Sequence, residues 1–240
     1  MMVKNNLFAL LSLSGLLGMV PLACGMGLRS FVALPIEKGG SVIRFAYEHN
    51  DGTDVLLANA AYGLSANQAI LLGLPYRLSP DGPDRQDDVS VLFRHIVWQH
   101  DSLSGTRRLG LLGGAIVPTE SNRDAALQAG FVMTYFQGRH EWDLDALYQA
   151  GLQHRPDSGR YDISWQYRLA PDERPEWGLP PELNSVLEFN GRWNEDTGTV
   201  HQITTGLQWV HKEWVIEGGL IKELNKSADW RYILSTRFHF

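Results

Sequence analysis

From about residue 41 onward the chain is written in segments of roughly ten residues whose apolar and polar side chains alternate one by one, separated by short runs of Gly, Asp, Asn, Pro and Ser. A period of two belongs to strands with two different faces, because successive side chains point to opposite sides of the pleat. Trp142, Leu144, Ala146, Tyr148, Ala150 and Leu152 fall on one side of such a segment, and Glu141, Asp143, Asp145, Leu147, Gln149 and Gln153 on the other. After Pro156-Asp157-Ser158-Gly159 the pattern resumes, with Tyr161, Ile163, Trp165, Tyr167 and Leu169 against Arg160, Asp162, Ser164, Gln166 and Arg168. The pair predicts a hairpin turning at 156–159. The whole scan predicts strands near 41–49, 54–63, 67–78, 88–100, 105–117, 124–136, 140–154, 160–169, 182–194, 199–211, 213–222 and 229–240, and no helix of useful length.

About twelve strands is an even number, and most exceed the five or six residues usual in soluble sheets. A tilted strand of about ten residues covers the roughly 25 Å apolar band of an outer membrane. The fold expected is all-β, an antiparallel transmembrane barrel of about twelve strands over 41–240. Alternation alone does not say which face is wet, since a soluble barrel turns its apolar side inward. Aromatics near strand ends, as at Trp98, Tyr135, Trp142, Trp193, Trp209, Trp214 and Trp230, suit the interfacial girdles of a membrane barrel. Trp230, Tyr232, Leu234, Thr236, Phe238 and the final Phe240 alternate to the last residue. This ending resembles the C-terminal strand by which bacterial outer-membrane barrels are recognised, and the resemblance implies the barrel-assembly machinery as a partner, with Trp230, Tyr232, Leu234, Phe238 and Phe240 as the signal.

Composition narrows the function. A net charge of −6 spread along 240 residues offers no polycation, so nucleic acid is not an expected partner. A mean hydropathy of −0.20 excludes a bundle of membrane helices. The one cysteine excludes an intrachain disulfide. Residues 1–25 read as a secretory signal, with Lys4 before an apolar stretch from Leu7 to Val20 and small residues after it. Cleavage after Gly25 and lipid attachment at Cys24 are both open. Export without disulfides suits the outer membrane of a Gram-negative bacterium, with its lipid as surroundings. Residues 26–40 predict an N-terminal periplasmic segment or a plug in the lumen.

Three stretches carry a family resemblance: AYGLSANQAILLGLPYRL from Ala61 to Leu78, then DDVSVLFRHIVWQ, then RLGLLGGAIVPTE from Arg108 to Glu120. They resemble an outer-membrane barrel family labelled for the meta-pathway of phenol degradation, a transporter-like group. In that family Pro-Thr is usually followed by Gly, where this chain has Glu120. The resemblance implies an outer-membrane barrel with a transport role and no catalytic residues.

The polar faces would line a lumen with Glu141, Asp143, Asp145, Asp162, Glu188 and Glu217 together with Arg160, Arg168, Arg192, Arg231 and Arg237. Two readings compete. The charges could select an unknown small solute passing through a passive or gated pore, or brace a closed structural barrel, because confined charge is costly unless paired. Across the hairpin, Asp145 is expected beside Arg168. His140 with Glu141, Asp143 and Asp145 invites a metal reading, but same-face residues stand about 6.6 Å apart along a strand, so no metal and no cofactor is expected. His154 and Ser158 are the nearest imitation of a lipid hydrolase pair, with Ser158 in a turn, and enzyme activity is not expected. Gly113, Gly114, Gly218 and Gly219 fall inside strands, where glycine relieves curvature or leaves room for neighbouring aromatics. The connection from Ala170 to Pro181, stiffened by four prolines, could cover a mouth or meet a partner.

Overall fold

In the computed structural model, the structure describes residues 27–82, 85–173, 180–225 and 230–240. The predicted signal and Cys24 lie outside the described residues, as do 174–179 of the proline-rich connection. The strands are β1 (Ser41–Asn50), β2 (Thr53–Ser65), β3 (Gln68–Ser79), β4 (Val89–Ser102), β5 (Gly105–Val117), β6 (Ala126–Gln137), β7 (His140–Gly151), β8 (Ser158–Ala170), β9 (Glu182–Asn194), β10 (Gly198–His211), β11 (Trp214–Glu223) and β12 (Trp230–His239). Each pairs antiparallel with its chain neighbours, and β1 pairs with β12 from Val42↔His239 to His49↔Tyr232, closing the barrel. Closure removes the free strand edge that would otherwise invite aggregation. Ser41 and Phe240 meet through two backbone hydrogen bonds of 3.0 and 2.8 Å at what is called here the near end.

Burial settles which face is wet. Asp145, Asp162, Ser164, Asn190, Thr204 and Arg237 are fully buried inside the barrel, whereas Leu127, Leu207, Tyr232 and Leu234 are more than half exposed on its outside. The outer surface is therefore a continuous apolar belt, far larger than a water-facing surface tolerates and suited to hydrocarbon. Aromatic clusters bound it at both ends. Trp142 stacks on Trp165 at 5.9 Å and Trp214 on Phe238 at 5.8 Å towards the near end, and Tyr148 on Trp193 at 6.1 Å at the far end.

Strand number and order agree with the alternation, but one boundary has consequences. β7 ends at Gly151, and 152–157 form the connection. Ser158 and Gly159 open β8 instead of belonging to the turn. Gln149 therefore pairs with Ser158 and Asp145 with Asp162. The expected Asp145–Arg168 neighbourhood is corrected: Arg168 lies beyond the end of β7, its amide bonded to the Arg139 carbonyl at 2.9 Å. The displacement, from 168 to 162, is an even number of residues, so the partner changes while every side chain keeps its face.

At the far end Asp88, just before β4, ties three connections together. Its carboxylate accepts from Arg155 at 2.6 Å, Arg123 at 3.2 Å and the Thr119 amide at 3.2 Å. Burial alone would raise its pKa, but the Arg155 bond, the Thr119 amide and Arg123 together hold it below the ordinary carboxylate value. A depressed folded-state pKa means that this contribution is present above the unfolded value of about 3.9 and is lost as pH falls through the folded one. Asp88→Asn is expected to cost about 2 kcal/mol and to remove the acid-induced rise in hydrogen exchange at 119–124 and 152–157. Equal acid sensitivity in the variant would show that another group controls it.

Candidate functional site: a filled lumen with an arginine-lined side cavity

The inward carboxylates are partnered. Asp162 takes Arg192 at 2.7 Å and Asn190 at 2.6 Å, and Arg160 reaches Asp145 at 3.3 Å and Asp162 at 3.7 Å. Glu217 gathers Arg44 and the Ser235 hydroxyl at 2.8 Å each, Gln208 at 2.9 Å and Arg237 at 3.5 Å. Arg231 pairs with Glu223, and Arg168 stands 3.9 Å from Glu182. Among the described residues Asp143 receives neutral donors, the Thr134 hydroxyl at 2.5 Å and Gln166 at 3.4 Å.

These wall groups also hold a piece of the chain itself. From its first described residue to the rim the segment 27–36 runs inside the barrel, with Leu28, Ser30, Val32, Ala33 and Leu34 buried. An extended chain without a neighbouring strand must find other partners for its amides and carbonyls. Here side chains supply them. The amides of Arg29 and Ser30 donate to Glu188 at 3.1 to 3.4 Å, the Phe31 amide to Asp145 at 2.7 Å and the Ala33 amide to Thr134 at 2.9 Å. The Leu28 carbonyl accepts from Arg44, and the Val32 carbonyl from Arg94 at 2.6 Å. Amides thus meet carboxylates or a hydroxyl bound to one, and carbonyls meet guanidinium groups.

Apolar contacts fix the same segment. Leu28 packs among Ala46, Val186, Ile221 and Ile233, and Ala33 among Leu92, Ile96, Leu112, Val132 and Leu147, with Phe31 beside them. Gly206 and Gly219 face each other across β10 and β11. A Cβ on Gly219 would stand 2.9 Å from the Leu28 methyl and 2.6 Å from the Thr205 carbonyl, and one on Gly206 would stand 2.7 Å from that methyl. The room at Gly219 is taken by Leu28 and not by the aromatic neighbour expected, and a Cβ on Gly113 would meet nothing within 4 Å. At the near rim a Cβ on Gly63 would lie 2.1 Å from the Glu37 carbonyl, so the segment leaves the barrel where β2 has no side chain in its way.

Beside the segment remains a cavity of about 1220 Å³ that reaches from the near-end turns at Ser104 and Gly138 to Asp87, Asp88 and Arg155 at the far end. Eight arginines and six carboxylates line it. The carboxylates, such as Asp88, Asp101 and Glu213, stand towards its mouths, and arginines outnumber them along the lining. Of the eleven residues expected to line a pore, Arg160, Arg168 and Arg192 face this cavity. Glu141, Asp143, Asp145, Asp162, Glu188, Glu217, Arg231 and Arg237 are inward but belong to the rest of the wall, much of it against the segment. The alternation did not single out Arg29, Arg44, Arg94 or Thr134. The available signal was the apolar residue on a polar face, as Leu147 stands between Asp145 and Gln149 and needs cover.

His140 points outward, stacked on Trp165 at 6.0 Å, so it shares no face with Glu141. Among the described residues no three His, Cys, Asp or Glu side chains converge as a metal site. The Ser158 hydroxyl donates to Gln149 at 2.9 Å, and His154 sits 3.5 Å from Asp124.

The architecture has solved counterparts. The KdgM porin matches with a TM-score of 0.56 at 8% identity, over 83% of this chain and 99% of that one. The COG4313 outer-membrane channel from Pseudomonas putida F1 matches with a TM-score of 0.56 at 13% identity, over 88% and 98%. The NanC porin matches with a TM-score of 0.51 at 9% identity, over 82% and 98%. The fold is that of outer-membrane porin barrels. No protein-family model matches the chain, and no curated protein does. The meta-pathway label is therefore carried by the sequence resemblance alone.

Proposed function

We propose that this chain is an outer-membrane channel of a Gram-negative bacterium that passes a small solute through a lumen partly filled by its own residues 27–36. The observation that carries the reading is the cavity of about 1220 Å³ running beside a segment whose backbone is held by the wall. A pore of constant bore needs no apolar patches on its wet wall. This wall has two, and the segment covers both. Fields from charged linings select ions in channels, and the excess of arginines over carboxylates along the cavity favours anions. Asp143 and Asp145 act on the segment, and Asp145 on the solute only through Arg160.

The test is single-channel recording of the refolded chain in a planar bilayer under a salt gradient. A small conductance with anion preference is expected. Asp143→Asn with Asp145→Asn should raise the conductance and strengthen the anion preference, because Arg160 on the cavity loses its Asp145 partner. Cation preference, or a barrel silent in all conditions and variants, would contradict the reading. A second reading, a permanently closed structural barrel, is favoured by the pairing of nearly every wall charge, and permanent silence is its result. The strand from Trp230 to Phe240 serves barrel assembly in this account, so deleting Phe240 should lower the yield of assembled barrel in cells while leaving refolding into detergent intact.

A further inference from the structure

Most arginines facing the cavity have a carboxylate beside them. Arg29 has Glu48 at 3.3 Å, Arg44 has Glu217, Arg155 has Asp88, and Arg160 and Arg192 share Asp162. Arg94 differs. Its guanidinium is buried on β4 and has no carboxylate within ion-pair distance among the described residues. Its one hydrogen bond goes from Nη1 to the Val32 carbonyl at 2.6 Å. Nε has no partner, and Nη2 makes no hydrogen bond to any described residue. Arg108, of the same sign, lines the same cavity.

An unpaired buried guanidinium is costly, and the cost is relieved by an anion that can accept its hydrogen bonds. The unpartnered Nε–Nη2 edge is the planar fork that a carboxylate meets with two parallel bonds. Around it the wall is apolar, with Leu71, Leu92, Ile96 and Leu112 on the strands and Phe31 on the segment. Arg94, Leu71, Leu92 and Phe31 all face the cavity.

We propose that the Nε–Nη2 edge of Arg94 is the binding site for a small organic carboxylate with an apolar body. The carboxylate docks on the guanidinium, and the body lies against Leu71, Leu92 and Phe31. The site deepens the channel reading and rests on it for its purpose, because it stands in the middle of the proposed path. Binding leaves the bond to Val32 in place, so the site is compatible with a seated segment.

The experiment is calorimetric titration of the full folded chain in neutral detergent with hexanoate, and with hexanol as the uncharged comparison. Hexanoate is expected to bind and hexanol at least tenfold more weakly. Arg94→Gln should weaken hexanoate about tenfold or more, the loss of a bond between charged groups, and Arg94→Lys should restore only part of it, because a point charge lacks the fork. Heat-modifiable mobility confirms that each variant is a folded barrel. If Arg94→Gln does not fold, Arg94→Lys decides alone: weakened hexanoate supports the site and unchanged affinity overturns it. Equal binding of hexanol, or unchanged hexanoate binding in the variants, also overturns it. Binding is read without conductance, so a silent barrel that binds hexanoate would sink the channel reading and keep the site. A conducting barrel that does not bind it would do the reverse.

Discussion

Deleting residues 27–36 while keeping the rim from Glu37 onward is expected to raise single-channel conductance several-fold and to weaken the ion preference. The segment fills the middle of the barrel, and its removal joins the side cavity to the volume it vacates. The barrel does not need it for closure, since β1 pairs with β2 and β12 through residues 41–50 alone. Deletion also uncovers Asp143, Asp145 and Glu188, whose negative charge opposes the arginines of the cavity. The rim contact survives, because Gly39 and Gly40 exchange hydrogen bonds with Gly63 at 2.8 and 3.0 Å. An unchanged conductance in a folded deletion variant would mean that the segment is not what limits passage.

Leu28→Ala is expected to give the second-largest effect. The residue is 1% exposed, its methyl fills the notch over Gly206 and Gly219, and its neighbours are strand residues that cannot collapse into the gap. Removing a buried leucine side chain costs about 3 kcal/mol, roughly a hundredfold in the ratio of seated to unseated segment. Bursts of the larger conductance seen after deletion should appear in the intact chain, more often by about that factor. Glu188→Ala should act in the same direction, since it leaves the amides of Arg29 and Ser30 without their acceptor. The two changes disturb one docked segment, so their effects should not add. If Leu28→Ala leaves the openings as rare as before, the notch is not a seat that matters.

Much of the barrel could be read from residues alone. Strict alternation assigned Asp145 and Leu144 to opposite faces, and parity protected that assignment even where the turn was misplaced. The partner of Asp145 could not be read, because register depends on where the turn lies, and Pro156-Asp157-Ser158-Gly159 looked like the turn although the chain reverses over 152–157. The filled lumen was harder. Leu28, Ser30 and Phe31 form no periodic pattern, since their partners are side chains on strands as far apart as β1, β7, β9, β11 and β12 and not a neighbouring strand. Leu147, Val186 and Ile221 carried the legible trace, as apolar residues on faces otherwise written for water. Arg94 could not stand out among the arginines of the sequence, because what distinguishes it is the absence of a carboxylate across space among the described residues.

The seating of residues 27–36 inside the barrel against its wall can be read by cross-linking in outer-membrane vesicles, in a C24S background with the substitutions A33C and T134C. The Ala33 amide lies 2.9 Å from the Thr134 hydroxyl, so the two residues are direct neighbours across the lumen wall. The account predicts a disulfide in most of the folded protein under mild oxidation, a thiol at position 33 shielded from a bulky membrane-impermeant reagent, and a small conductance that rises on reduction when Leu28→Ala is also present. Absence of the disulfide, with position 33 freely labelled from the water, would place the segment outside the lumen and contradict the account.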